Sequence, residues 1–447
     1  TSSAQIWIFS FDGSEWTQEA RLVHDEGAGS WSYDFYGLFD GVSSIYGDRA
    51  LVGAFGDGIH TYEGAAYFYN FNDSGTPGKK WEQETKLTLE DANPIDYFAY
   101  SVSLFDDTAV IGQPGESWNG STYIYKIDSD GVPQLEQQVF PWQNNNDDGF
   151  GKEVATNGEL AIVGASRDHG TGGYRQGAVY IYRTEIDNTL FVPGKKMYPH
   201  CEADINNDGV VDVADVLLVL DQFGQVGGFP ADVNGDGVVD INDLLEVIGS
   251  LGPCTSQPTW LYKLTPSEDI GEGININFGT SVDIAGNVAI VGTRIKAKVY
   301  VFRFNGVDWV EEQILHNNAG YFGESISIWQ TNTLAPDLDS LIVVGAHRDD
   351  DNGEEAGAVV VYRYNGTEWI EEAKLYGDTT DTEENFGRSV AVQGYVLGGS
   401  SVSEIMVGAK TDADTAEESE GVVYHFRYIG GEWVKRVKFS GTGIPVG

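Results

Sequence analysis

Two stretches of this chain carry side chains that could do chemistry, and both are built from oxygen. The first reads Asp204-x-Asn206-x-Asp208-Gly209-Val210-x-Asp212-x-x-Asp215, and the second repeats it as Asp232-x-Asn234-x-Asp236-Gly237-Val238-x-Asp240-x-x-Asp243. Oxygen side chains at loop positions 1, 3, 5, 9 and 12, a glycine at the sharp turn of position 6 and a backbone carbonyl at 7 suit a hard cation, calcium above all. Four carboxylates crowded into one loop repel each other until an ion neutralises them. Two calcium ions, one per loop, should therefore fold this segment. Asp/Asn/Gly-rich turns without metal are the competing reading, and exact duplication of the spacing argues against it.

The elements that would position these loops can be read next to them. Each loop runs into an apolar stretch of helical period, Val216, Leu217, Leu220 and Phe223 in the first and Leu244, Leu245, Ile248 and Leu251 in the second. Two helices packed through those faces are expected. Cys201 and Cys254 are the only cysteines and they bracket the pair. In a secreted protein they would form a disulfide closing a loop of about 50 residues, contributing roughly 4 kcal/mol in the chain-entropy model. Two free thiols are the other possibility.

Outside this segment the chain repeats one pattern. Phe150-Gly151 leads to Leu160-Ala161-Ile162-Val163-Gly164-Ala165 and then to Val179-Tyr180-Ile181-Tyr182. The same pieces recur from Phe278-Gly279, Phe322-Gly323 and Phe386-Gly387, with looser copies from Tyr36-Gly37 and Phe98-Ala99. A tight turn and a tryptophan strand follow the tyrosine strand: Asn305-Gly306 before Trp309, Asn365-Gly366 before Trp369, Asp12-Gly13 before Trp16 and Gly430-Gly431 before Trp433. Such dipeptides accept the positive φ of a two-residue hairpin, so each unit should hold four antiparallel strands. One four-stranded sheet cannot cover both of its faces, and radial repetition solves this with a β-propeller.

The motifs resemble the FG-GAP repeat, the blade unit of integrin α-subunit heads and of many secreted proteins. The duplicated loop and helix, ending in Asp at position 12, resembles the type I dockerin module with its pair of EF-hand loops. The implied fold is all-β, a six- or seven-bladed propeller with a small α-helical, calcium-binding, dockerin-like insertion. The expected division is propeller over 1–186, insertion over 187–258 and propeller again over 259–447. Cellulosomal dockerins often contact cohesin through a Ser-Thr pair at loop positions 10 and 11. This chain has Val213-Ala214 and Ile241-Asn242 there, so the resemblance carries fold and calcium but not that contact.

The strand count leaves a remainder. There are seven tyrosine strands with a following strand but six Phe-Gly starts, so residues 5–22 form a surplus hairpin. It could adorn a six-bladed ring, belong to a seventh blade whose other strands lie outside this chain, or complete a neighbouring molecule.

Composition narrows the partners. A formal charge of −43 over 447 residues opposes binding to nucleic acid or to anionic membrane through bulk electrostatics. No run of 18 or more apolar residues exists that would span a bilayer. Thr1-Ser2-Ser3-Ala4-Gln5 is compatible with a mature terminus left by signal cleavage, and sequons stand at Asn72, Asn119 and Asn365. Acidic loops follow the Val-Gly-Ala strands at Asp57, Asp168, Asp349 to Asp351, Asp412 and Asp414. Others precede the Phe-Gly starts at Asn144 to Asp148 and at Asp378 to Glu384. Related propellers hold calcium in blade loops, and simple solvation is the alternative here. No nucleophile elbow and no His-Glu-x-x-His helix is present, so catalytic residues are not expected. The expected function is a secreted, non-catalytic, calcium-stabilised structural or adhesion protein. Its partner would be itself, in a filament, or another extracellular protein or glycan. A polysaccharide-binding or polysaccharide-cleaving propeller is the alternative.

Overall fold

The computed structural model describes residues 6–11, 16–22, 42–56, 63–72, 81–89, 96–115, 120–141, 148–169, 175–185, 210–211, 213–225, 231, 238–249, 252–253, 261–267, 275–318, 320–330, 340–378, 384–397, 400–409, 421–439 and 445–446. The chain divides into two compact units, 1–185 with 261–447, and 186–260.

The larger unit holds six antiparallel sheets whose strands, named a to d in chain order, pair in that order. Blade I comprises Ser43–Tyr46, Arg49–Ala54, Ala65–Phe71 and Trp81–Leu87, and blade II Ser101–Phe105, Thr108–Gln113, Ser121–Ile127 and Pro133–Val139. Blade III comprises Phe150–Thr156, Leu160–Ala165, Ala178–Arg183 and Tyr262–Leu264, and blade IV Phe278–Ala285, Val288–Thr293, Lys298–Phe304 and Trp309–His316. Blade V comprises Ser325–Trp329, Leu341–Ala346, Ala358–Tyr364 and Trp369–Leu375. Blade VI comprises Ser389–Leu397, Ser400–Ala409, Val422–Ile429 and Glu432–Phe439, with the short Pro445–Val446 added on strand d. The a strands of blades I to VI pack on one another in succession. This is the six-bladed β-propeller that the repeat implies.

The burial pattern explains why the strands read as they do. Strand b of blade V, Leu341–Ala346, is buried at every position because neighbouring blades cover both faces. Strand d, Trp369–Leu375, lies at the rim and is buried only at its two ends, Trp369 and Leu375. The glycines fix how closely blades approach. A Cβ on Gly345 would lie 2.1 Å from the Gly387 carbonyl oxygen of the next blade, and one on Gly112 2.0 Å from that of Gly151. The Phe-Gly glycines themselves have φ of +79° at Gly151 and +89° at Gly387, which side chains seldom adopt. Where Ala99 replaces glycine it takes φ +64°.

Two polar contacts also recur between blades. Arg303 of blade IV stacks 4.7 Å from the Tyr364 ring of blade V, and Arg363 of blade V lies at the same distance from Tyr428 of blade VI. The rim tryptophans donate backwards, Trp369 Nε1 to Glu312 at 3.3 Å and Trp433 Nε1 to Glu372 at 2.9 Å.

The surplus hairpin continues this series. Ile6–Phe11 and Trp16–Leu22 form a two-stranded sheet packed between blades VI and I of their own chain. Arg427 of blade VI lies 4.6 Å from the Phe11 ring, and Trp81 of blade I donates to Glu19 at 3.2 Å. Trp16 donates to His425 Nδ1 at 3.1 Å, Phe9 meets Phe439 at 4.7 Å, and Ile8 and Leu22 join the core of blade I. The hairpin thus occupies the position of strands c and d of one more blade.

One local expectation needs correction. The Asn-Gly hairpins are not two-residue turns. Phe304 pairs with Trp309 and Tyr364 with Trp369, leaving four residues in each loop, because Asn305 Oδ1 accepts the amides of Val307 and Asp308 and Asn365 Oδ1 those of Thr367 and Glu368. Gly430-Gly431 does close a two-residue turn between Ile429 and Glu432. The strand that completes blade III after the insertion is Tyr262–Leu264.

Candidate metal centre

The smaller unit is built on α1 (Val213–Asp221) and α2 (Ile241–Gly249), with Val210–Val211 pairing antiparallel to Gly252–Pro253. Asp215 and Asp243, position 12 of the two loops, fall in the first helical turns and are fully buried. Around α2 the loop acids also serve as caps. Asp240 Oδ1 accepts the Asn242 amide at 2.7 Å, and Asp243 Oδ2 accepts the Asp240 amide at 2.8 Å. The Asp243 bond is the returning half of a capping box, with Asp at the place usually held by Glu or Gln, while Asp240 caps the amide of Asn242. Positions 9 and 12 are thereby locked at the helix start, where the helix dipole favours negative charge.

The helices meet through Val216, Leu218, Val219, Leu244 and Val247, sealed by Ala231 and Val239. The end of α1 is tied to the second loop, Gly224 N to Val239 O at 2.8 Å and Val239 N to Gln225 O at 3.0 Å. The expected packing faces were therefore partly misplaced. Leu217 is 58% exposed and Leu245 60%, and Leu220, Phe223 and Ile248 are exposed too. They line up with Val213 and Ile241, giving each helix an outward apolar row, Val213/Leu217/Leu220 and Ile241/Leu245/Ile248.

Of the expected ligands, Val210, Val238, Asp215, Asp240 and Asp243 are placed. Asp204, Asn206, Asp208, Asp212, Asp232, Asn234 and Asp236 lie outside the described residues, as do Cys201 and Cys254. Among the described residues no three His, Cys, Asp or Glu side chains cluster as a metal site. The donor set nevertheless fits a divalent cation on one observation. Asp215 and Asp243 are carboxylates removed from water, and the stretch from Cys201 to Cys254 contains no Lys, Arg or His to neutralise them.

The propeller treats its buried acids differently. Asp168, 4% exposed, accepts from Lys263 Nζ and from the Tyr180 hydroxyl, each at 2.8 Å. Asp349 receives Lys374 Nζ at 2.8 Å, and Glu384 accepts from the Tyr424 hydroxyl at 2.6 Å. These loop acids, expected to hold calcium or to be solvated, are buried on protein donors. Asp148 is the exception in degree: burial, and after it the charge of Asp168, pushes its carboxyl up to about 6, with His169 Nδ1 at 3.6 Å. Asp57, Asn144 to Asp147, Asp412 and Asp414 lie outside the described residues. No described helix is long and apolar enough to cross a membrane.

Two family models match parts of this chain. The FG-GAP repeat model matches residues 81–125 and 136–182, and the dockerin type I domain model matches 202–252. No curated protein matches the chain. Among solved structures it is similar to a 6-phosphogluconolactonase candidate from Bacteroides fragilis, at 8% identity over 96% of this chain and 88% of that one, with a TM-score of 0.47. A functionally unknown protein from Desulfotomaculum acetoxidans gives 12% identity over 99% and 91%, with a TM-score of 0.44. The WD40 domain of Toxoplasma gondii coronin gives 7% over 88% and 68%, at 0.43. The chain carries FG-GAP repeats in a six-bladed β-propeller and a dockerin type I domain in the segment that interrupts its third blade.

Proposed function

We propose that this is an extracellular, non-catalytic protein that binds two calcium ions in its inserted module and uses that module to dock a partner protein. The observation that carries the reading is the pair of matching apolar rows on α1 and α2, exposed beside two fully buried position-12 aspartates. Calcium would be held by Asp204, Asn206, Asp208, Asp212 and Asp215 with the Val210 carbonyl, and by Asp232, Asn234, Asp236, Asp240 and Asp243 with the Val238 carbonyl. Neutralising those acids fixes both helix starts and so sets the geometry of the apolar rows. The dockerin match points to a cohesin-type receptor. Val213 and Ile241 occupy the first of the two contact positions, so the receiving surface would be apolar where cellulosomal pairs are polar.

Isothermal titration with calcium, and then with a panel of type I cohesins in calcium and in chelator, tests this. Two calcium equivalents and a chelator-sensitive complex weakened by Leu217→Asp with Leu245→Asp are expected. A chain that takes up no calcium, or a complex indifferent to both substitutions, would overturn the reading.

A further inference from the structure

In each blade the start of strand a lies beside the end of strand b, because the two pair antiparallel, Phe150 against Ala165 in blade III and Phe278 against Thr293 in blade IV. Successive a strands pack on one another, so these ends form a rim around one mouth of the propeller axis. The rim differs from the rest of the chain in charge. The position after the Phe-Gly glycine holds Lys152 in blade III, Glu324 in blade V and Arg388 in blade VI. The second position after the strand b glycine holds Arg294 in blade IV and His347 in blade V, and Arg348 follows His347. A chain with 26 lysines and arginines against 69 acids thus gathers Lys152, Arg294, Arg348 and Arg388 at one mouth.

One carboxylate stands among them. Glu324 lies 3.7 Å from Arg294 Nε, 3.5 Å from Arg388 Nη1 and 3.5 Å from His347 Nδ1. These separations exceed the roughly 2.7–2.9 Å of a charge-assisted hydrogen bond, so neither guanidinium is committed to it as a bidentate fork. Arg388 Nη1 donates to His347 Nε2 at 3.4 Å, and Arg294 forms no hydrogen bond among the described residues. Both arginine side chains are 54% exposed and can still receive a ligand. Burial, and then the charges of Arg167 and Arg294, hold the Lys152 ammonium below its ordinary value, with Glu153 and Glu324 acting the other way. An anion bound between these cations would relieve their mutual repulsion.

The rest of the rim brings aromatic rings. Phe55 of blade I holds the position of Arg294, and Tyr100 of blade II that of Arg388. Phe55 lies 4.9 Å from the Tyr100 ring and 5.9 Å from that of Tyr97, and all three are partly exposed. Flat rings and hydroxyls beside guanidinium groups suit a ligand that has an apolar face, hydroxyls of its own and a negative group. That combination is a sugar acid; an acidic peptide would use the cations and leave the rings idle.

We propose that this mouth binds an anionic oligosaccharide, its carboxylate or sulfate received by Arg294 and Arg388 and a further sugar ring of the same molecule stacked on Phe55 and Tyr100. The site belongs to the propeller and is independent of docking by the inserted module.

The test titrates the full chain, at constant calcium, with tetragalacturonate, its methyl ester, a sulfated tetrasaccharide and a hexaglutamate peptide, by calorimetry at low and high salt. One-to-one binding of tetragalacturonate or of the sulfated sugar, weakening as salt rises, is expected, and the tighter of the two names the anion. Arg294→Gln and Arg388→Gln should each weaken binding about tenfold with unchanged melting curves. Phe55→Leu should weaken it several-fold, and Arg436→Gln, on the exposed outer strand of blade VI, should leave it unchanged. No binding of either sugar, equal binding of the methyl ester, equal affinity of Arg294→Gln and Arg436→Gln, indifference to Phe55→Leu, or a peptide bound as tightly as the sugars would each overturn the proposal.

Discussion

The propeller and the insertion bury carboxylates by opposite means. In the propeller three buried acids each have a cationic side chain of the same chain as donor: Lys263 on Asp168, Lys374 on Asp349 and Arg427 on Glu404. In the insertion Asp215 and Asp243 are equally buried, and the sequence around them offers no cation at all. The difference teaches that burial of an acid says little by itself. What matters is whether the countercharge is encoded in the chain or must come from solution.

The largest effect expected from this contrast is on metal removal. Chelation should melt α1 and α2 while leaving the propeller's strands intact, seen as loss of helical signal in far-UV circular dichroism with an unchanged main melting transition. Asp215→Asn with Asp243→Asn should do the same in excess calcium. The converse perturbation belongs to the propeller. Lys374→Met strands Asp349 without its buried partner and should lower stability by on the order of 3 kcal/mol, measured by urea denaturation, with calcium uptake untouched.

How much of this was legible in the sequence depends on whether a residue's role is set by its neighbours in the chain. The blades were legible because Phe-Gly and Val-Gly-Ala are themselves the contact: Gly345 lies against Gly387, and no other residue fits. The dockerin-type segment was legible because its two repeats of Asp, Asn and Gly spacing each lie within a dozen consecutive residues. The helix faces were not. Val216 to Leu220 is apolar at every position, so periodicity could not choose between Val216/Val219, which pack, and Leu217/Leu220, which do not. Ala231 and Val239 made that choice from outside the helix. The four-residue turns were missed because Asn305 and Asn365 act through side-chain oxygens that take two amides each. The hairpin's place was hidden because Arg427 on Phe11 joins residues from opposite ends of the chain.

A smaller effect sharpens the comparison within the propeller. Gly345→Ala drives a methyl into a backbone carbonyl and should cost about 1–3 kcal/mol in thermal or urea unfolding, whereas Gly408→Ala should cost close to nothing. Equal losses would mean that the two seams are equally closed.

The smallest expected effect is on acid stability. Burial alone would raise the Glu404 carboxyl, but hydrogen bonds from His425 and Arg427 outweigh it and hold the group down to about 2. Its folded value is below the unfolded one, so its contribution is present above the ordinary carboxylate range and is lost as pH falls toward 2. His347 is held down to about 4 by burial and then by Arg388, Arg348 and Arg294. The unfolded chain therefore takes up a proton first, and stability falls between pH 6.5 and 4. Replacing Glu404 with Gln should flatten the lower part of the pH profile of urea unfolding, and His347→Gln the upper part.

The contrast between encoded and borrowed countercharge is tested most directly by calcium-binding calorimetry on the intact chain, with circular dichroism followed over the same titration. Two ions taken up as helical signal appears, at constant strand signal, is the predicted result. Full helical signal in chelator, with no heat on adding calcium, would show that Asp215 and Asp243 stay buried without a metal and would contradict it.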